Sequence, residues 1–182
     1  KLEYDPIFLN YMINPVFEEI CRRTYGDNTP ISCFRAMFMN KPAQEGTYLI
    51  WHQDRWSNLD RDPQITIYTA LDPASIENGC VHIIPHSHRQ LVNPSHGSGF
   101  LTEAHIEEIV SQADPLPLEL AAGEVVLLHN WTLHSSGINQ TETPRRAFSI
   151  CYMHGDTKTR SGGMYPRIFG EGALTVEQLK TA

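Results

Sequence analysis

Apolar and polar residues alternate over short runs along most of this chain, and turn-forming residues break the runs. Alternation of period two puts every second side chain on one face of a strand. The pattern predicts strands over Ile31–Asn40, Thr47–Gln53, Gln64–Leu71, Cys80–Ile84, Glu124–His129 and Arg145–Met153. Asp27-Asn28, Lys41-Pro42, Asp72-Pro73, Asn78-Gly79, Ala122-Gly123 and Thr143-Pro144 punctuate them. Helical spacing occurs twice. Val16, Phe17, Ile20 and Cys21 form a stripe between the cap Asn14-Pro15 and the terminator Gly26. Ile106, Ile109, Val110 and Ala113 recur at i, i+3, i+4 and i+7 behind Thr102, and Asp114-Pro115 ends that helix. The pattern argues for an all-β core, a sandwich or barrel, with a few flanking α-helices; among these a cupin-like jelly roll is the expected architecture. The stretch from Gln90 to Ser111 reads as a lid or substrate-facing insert.

Composition narrows the class. A chain of 182 residues with 41% hydrophobic and 19% charged residues is expected to fold as one domain, residues 1–182, with a core of its own. No apolar run reaches the roughly 18–20 residues of a membrane span, and no signal-peptide pattern is present. The four cysteines are widely spaced without a Cys-x-x-Cys pair, which predicts reduced thiols in a cytoplasmic protein. Any address signal would have to precede Lys1. The net charge of −7, with no basic run beyond Arg22-Arg23 and Arg145-Arg146, argues against a nucleic-acid partner. A small-molecule substrate is expected instead; oligomeric state is not legible.

Candidate chemistry begins at His52-Gln53-Asp54. On a strand His52 and Asp54 share a face, roughly 6–7 Å apart along the backbone, and can converge on one ion while Gln53 points away. His134, behind the apolar run Val125–Leu128 and at the start of the polar turn Ser135-Ser136-Gly137, is the leading third ligand. Two imidazoles and one carboxylate on one face of an octahedral ion leave adjacent positions open, an arrangement suited to iron(II) with a chelating cosubstrate and O₂. Seven other histidines are rivals, and His86-Ser87-His88 has the spacing of a cupin metal site beside Pro85. Arg145 opens the strand after His134; if the two strands are neighbours, its planar fork can reach the same cavity and bind a carboxylate bidentately. Ser149 lies on the same strand face as Arg145.

Several segments, in order, resemble the phytanoyl-CoA dioxygenase family of iron(II)/2-oxoglutarate oxygenases. They are Met37-Phe38-Met39-Asn40-Lys41-Pro42, Trp51-His52-Gln53-Asp54, Ala70-Leu71-Asp72 with Glu77-Asn78-Gly79-Cys80, and Pro85-His86-Ser87-His88. Gly123-Glu124 and His134-Ser135-Ser136-Gly137-Ile138-Asn139 follow, leading into Arg145–Ser149. The resemblance implies a double-stranded β-helix. It also implies His52, Asp54 and His134 as iron ligands and Arg145 on the distal carboxylate of 2-oxoglutarate. Met37 and Gln53 match positions lining the cosubstrate, and Tyr68 stands where the family often has Trp. His86 and Ser135 are departures that add a side chain beside a turn. The family's N-terminal portion is not matched, so the domain is expected to lack it.

The implied activity is hydroxylation of an unactivated C–H of a lipid, amino-acid derivative or secondary metabolite, with release of succinate and CO₂. Asp54 argues against halogenation, which needs that carboxylate replaced. Trp56, Trp131 and Arg55 are the expected substrate-side residues. Two other classes compete: a metal-binding jelly-roll protein without oxygenase activity, and a non-oxidative cupin-type metalloenzyme using His86 and His88.

Overall fold

The computed structural model describes residues 1–180. The described strands are β1 Ile31–Lys41, β2 Leu49–His52, β3 Ile65–Ala70, β4 Val81–Ile83, β5 Leu116–Leu118, β6 Val125–His129, β7 His134–Ser136, β8 Arg145–His154 and β9 Arg167–Phe169. The helices are α1 Pro6–Met12, α2 Pro15–Tyr25, α3 Glu103–His105 and α4 Val176–Lys180; α3 continues into a π-helical turn, Ile106–Val110. One sheet has the order β6-β3-β8-β1-β9, the other β2-β7-β4-β5. The chain divides into two compact units. One comprises residues 1–37, 58–67 and the segment from Ser149 on; the other comprises residues 38–57 and 68–148.

The first unit is built on α1, α2 and the long strands. Asp5 caps α1 by accepting from the Ile7 N–H, and Asn14 caps α2 by accepting from the Val16 N–H. Pro15 occupies the first helical position, where its missing N–H costs nothing. Leu9, Met12, Phe17 and Cys21 are buried, as are Ile67, Ile150, Tyr152 and Met153 of the strands. The buried Tyr152 hydroxyl donates to the Met12 carbonyl at 2.7 Å, so a polar tip inside the core is satisfied. All four cysteines are free and buried, as their spacing predicts, and burial pushes the Cys21 thiol up to about 12.

The second unit carries the four-stranded sheet, whose pairs are all antiparallel. Its register places His52 opposite His134 and Ile83 opposite His134 on the other side, with an irregularity between Leu49 and His52. Trp51, Ile84, Leu101 and Leu133 form a buried cluster. Val92, Ile106, Ile109, Val110 and Ala113 pack on it. The apolar stripe read from the sequence is therefore a packed face, and the second half of the expected lid is anchored there.

Three strands were not legible. His134–Ser136 was expected to be a turn and is β7, because its backbone is captured between β2 and β4. β5 contains Pro117, which reads as a breaker but is tolerated on an edge strand. β9 is a short strand paired with β1. No helix among the described residues is long and apolar enough to cross a membrane.

Candidate active site

The second unit brings His52, Asp54 and His134 together. Their nearest donor atoms all lie within 4.8 Å of one another, and among the described residues they form the one group of three such side chains. β2 delivers His52 and ends there, so Asp54 is held differently: its N–H donates to the Asn130 carbonyl at 2.7 Å. β7 delivers His134 directly opposite His52.

Each imidazole is oriented by a backbone carbonyl. His52 Nδ1 lies 2.8 Å from the Ile50 carbonyl, and His134 Nδ1 lies 2.8 Å from the Thr132 carbonyl. A carbonyl can only accept, so both Nδ1 atoms carry the proton and both Nε2 lone pairs are left for a ligand. This is the partner a metal-binding histidine commonly has on its second nitrogen. His52 Nε2 stands 3.8 Å from Asp54 Oδ1. Phe100 stacks on the His52 ring with centroids 4.7 Å apart, which fixes the ring plane. His52 is buried while Asp54 and His134 are partly exposed, so the group is supported on one side and open on the other. The donor set, two imidazole Nε2 atoms and a carboxyl group, suits a first-row divalent ion.

Gln53, expected to line the cosubstrate, is committed elsewhere. It is fully buried; its Nε2 donates to the carbonyls of Gln90 (2.8 Å), Trp131 (2.6 Å) and, at 3.4 Å, Ser87, and its Oε1 accepts from the Val92 N–H. Its backbone N–H donates to the Gly99 carbonyl. Gly99 has φ +69°, and a Cβ there would collide with the Gln53 carbonyl oxygen, so only glycine fits. Gln53 is thus a clasp between the His52–Asp54 segment and the loops around it.

Arg145 is 2% exposed. One terminal nitrogen donates to the Tyr68 hydroxyl at 2.5 Å and the other to the Gly79 carbonyl at 2.7 Å, while Nε has no hydrogen-bond partner among the described residues. A buried guanidinium that is incompletely satisfied is costly unless an anion reaches it. Tyr68 is buried too; desolvation raises its hydroxyl pKa, and Arg145 partly opposes the rise. The protonated phenol therefore accepts from Arg145 and keeps a proton to donate. Gly79 has φ +75°, and a Cβ there would lie 2.5 Å from the Gly137 carbonyl oxygen. These contacts replace the expected route: β7 and β8 lie in different sheets rather than side by side.

Sequence reasoning placed Lys41 in a turn and in a family-matching segment but gave it no electrostatic role. Burial and the nearby Arg145 push its ammonium down to about 8, and its Nζ donates to the Thr47 carbonyl at 2.7 Å. The sequence held no signal for it, because Arg145 lies far away along the chain.

The remaining expected residues are scattered. Met37 is on β1 and half-buried; Ser149 is on β8 and buried. Arg55 donates to the Pro94 carbonyl at 2.5 Å, and Trp56 is half-buried. Trp131 stands edge-on to His129, 6.1 Å between centroids, and its buried indole N–H has no hydrogen-bond partner among the described residues. His129 in turn lies 5.1 Å from His88, and burial and that neighbour lower its pKa. His86 sits at φ +64° at an exposed turn, and neither it nor His88 joins a group of three donors among the described residues.

The profile of the family described as phytanoyl-CoA dioxygenase matches residues 3–147. The chain belongs to the phytanoyl-CoA dioxygenase family. Among curated proteins it is 26% identical over 161 residues to the phytanoyl-CoA dioxygenase of Arabidopsis thaliana, covering 85% of this chain and 55% of that one. It is 28% identical over 163 residues to phytanoyl-CoA dioxygenase domain-containing protein 1 of Danio rerio, covering 84% and 55%. The chain thus spans about half the length of the curated relatives it matches. Two solved structures are similar in fold. One is the non-heme alpha ketoglutarate dependent carbocyclase SnoK from nogalamycin biosynthesis, with TM-score 0.73, 20% identity, and 91% of this chain and 70% of that chain covered. The other is EctD from S. alaskensis with 2-oxoglutarate and 5-hydroxyectoine, with TM-score 0.72, 18% identity, and 95% and 60% covered. The fold is the double-stranded β-helix expected of this family, a β core with a few flanking helices.

Proposed function

We propose that this chain is the oxygenase domain of an iron(II)- and 2-oxoglutarate-dependent enzyme that hydroxylates an unactivated C–H of a small molecule. The observation that carries the reading is the open group of His52, Asp54 and His134, backed by a buried arginine with an unsatisfied nitrogen. Iron(II) and 2-oxoglutarate, when bound, supply O₂-dependent oxidation of a C–H bond coupled to decarboxylation of the 2-oxo acid to succinate.

The residues have separate tasks. His52 and His134 present Nε2 because Ile50 and Thr132 hold their Nδ1 protons, and Asp54 adds the anionic donor. Three protein donors leave part of an octahedral sphere for cosubstrate and gas. Arg145 Nε and the Tyr68 hydroxyl proton receive the distal carboxylate in a buried pocket, where a charge-assisted hydrogen bond counts for more than in water. Gln53 acts through the loops it clasps rather than by touching the cosubstrate. Trp131 offers an indole N–H to the substrate side. Trp56 and Arg55, next to the His52–Asp54 segment, are assigned to the substrate side. The substrate is a small organic molecule, and hydroxylation is the default outcome.

The test is succinate release by the purified chain with iron(II), ascorbate and 2-oxoglutarate, with and without a panel of small molecules. Iron-dependent succinate that rises with a particular compound supports the reading. Absence of iron-dependent succinate under every condition, with metal bound, would identify a metal-binding jelly roll without oxygenase activity.

A further inference from the structure

His129, Asn130 and Trp131 end β6 and lead toward β7, and their hydrogen bonds to the segment of the metal group occupy their acceptors. The Asn130 carbonyl accepts from the Asp54 N–H at 2.7 Å, and the Trp131 carbonyl accepts from Gln53 Nε2 at 2.6 Å. The His129 carbonyl accepts from the Thr132 N–H at 2.8 Å. His129 Nδ1 lies 3.1 Å from the Trp131 N–H. A backbone N–H can only donate, so Nδ1 supplies the lone pair and the proton of the neutral ring sits on Nε2. This reverses His52 and His134, whose Nδ1 atoms face carbonyls and whose Nε2 atoms are left for a metal. His129 therefore offers a donor where the metal histidines offer a lone pair.

Trp131 adds a second donor. Its ring stands edge-on to His129 with centroids 6.1 Å apart, and its indole nitrogen is buried with no hydrogen-bond partner among the described residues. A buried N–H without an acceptor costs free energy that a ligand oxygen would recover. Burial, and His88 at 5.1 Å ring to ring, hold His129 below the ordinary histidine pKa and keep it uncharged. Two N–H donors whose neighbouring carbonyls already accept fit a group that only accepts. A carboxylate is such a group, whereas an amide or an ammonium brings N–H groups of its own.

We propose that the Trp131 indole N–H and the His129 Nε2–H form an anion subsite for the substrate, separate from Arg145, so that the substrate is an organic acid anchored through its carboxylate. The inference rests on the oxygenase reading given above, since it assigns the bound group to the substrate and not to the cosubstrate.

The experiment measures binding rather than turnover. The chain is loaded with zinc(II) in place of iron, which keeps it diamagnetic, saturated with 2-oxoglutarate and followed by proton–nitrogen NMR. Its three tryptophans give three indole N–H resonances, and the one lost in Trp131→Phe is the reporter. Hexanoate, hexanamide and hexylammonium are the probes, alike in chain length and different in head group. Hexanoate at millimolar concentration should shift the Trp131 resonance saturably. Hexanamide and hexylammonium should bind at least about tenfold more weakly, the difference a charge-assisted hydrogen bond makes. No saturable shift with hexanoate, or an equal affinity for either other probe, overturns the proposal. His129→Phe should weaken hexanoate about tenfold on the same resonance, and an unchanged Kd would overturn the pairing. If Trp131→Phe does not fold, Trp51→Phe and Trp56→Phe assign the resonance by elimination. The cosubstrate reading fails separately. If anaerobic iron(II) and 2-oxoglutarate, without a probe, give no visible charge-transfer band, that reading is sunk whatever the Trp131 resonance does.

Discussion

Arg145 and Tyr68 meet through one 2.5 Å hydrogen bond, with the guanidinium donating and the phenol oxygen accepting. Both side chains are buried; Nε of the arginine has no hydrogen-bond partner among the described residues, and the tyrosine keeps its hydroxyl proton to donate. The cosubstrate carboxylate site proposed above rests on these donors. The bond also means that neither residue can be altered without disturbing the other.

Tyr68→Phe is accordingly expected to weaken 2-oxoglutarate binding by about tenfold and to destabilise the fold by about 1–3 kcal/mol, since it leaves a buried guanidinium nitrogen unpaired. Arg145→Ala should weaken binding more, by roughly a hundredfold, with iron affinity little changed. Chemical denaturation and Kd measurements check both. Unaltered 2-oxoglutarate affinity in Arg145→Ala would remove Arg145 from the site.

The metal ligands make a sharper prediction. His52→Ala, Asp54→Ala and His134→Ala should each reduce succinate formation to background while His86→Ala and His88→Ala retain it. Iron content after dialysis and succinate yield are the readouts. Persistent turnover in any of the first three would strike that residue from the ligand set.

Gly99 tests the support beneath them. An alanine there must adopt φ near +69° with its Cβ against the Gln53 carbonyl oxygen. Gly99→Ala should cost about 2–3 kcal/mol of stability or more and loosen iron through the His52–Asp54 segment. Equilibrium unfolding and iron titration follow this, and a variant as stable as wild type would contradict that packing.

Lys41 gives a pH signature. Its pKa falls from 10.5 to about 8 on folding because burial and Arg145 disfavour the ammonium. Below about 8 the lysine is charged in both states, and the folded state carries the full penalty. Between about 8 and 10.5 the unfolded chain binds more protons, so Lys41 makes stability rise with pH there. Comparing wild type with Lys41→Met across that window isolates the contribution. A difference between the two that does not vary with pH would refute the shift. Binding of 2-oxoglutarate should raise the Lys41 pKa, since an anion beside two cations favours both charges.

The sequence made the chemistry more visible than the scaffold around it. His52 and Asp54 were legible as two donors one residue apart, although β2 ends at His52 and the Asn130 carbonyl rather than strand alternation holds Asp54; Arg145 was legible because a fork-shaped cation follows a candidate metal histidine. Gln53 was misleading: its place between two ligands suggests contact with the cosubstrate, whereas the loops at Gln90, Val92 and Trp131 capture its amide. The strand at His134 was hidden because Ser-Ser-Gly is turn chemistry in isolation, and only pairing with β2 and β4 makes it extended. The lowered pKa of Lys41 depends on Arg145, far away along the chain, which no local pattern encodes. Local alternation, caps and motifs are written in neighbouring residues; the clasps that aim them are long-range.

Iron-edge anomalous diffraction from crystals of this chain, loaded anaerobically with iron(II), tests the account most directly. A single peak bounded by His52 Nε2, an Asp54 carboxylate oxygen and His134 Nε2, with no fourth protein donor, is the expected result. A peak between His86 and His88, or a sphere closed by a further side chain, would contradict it.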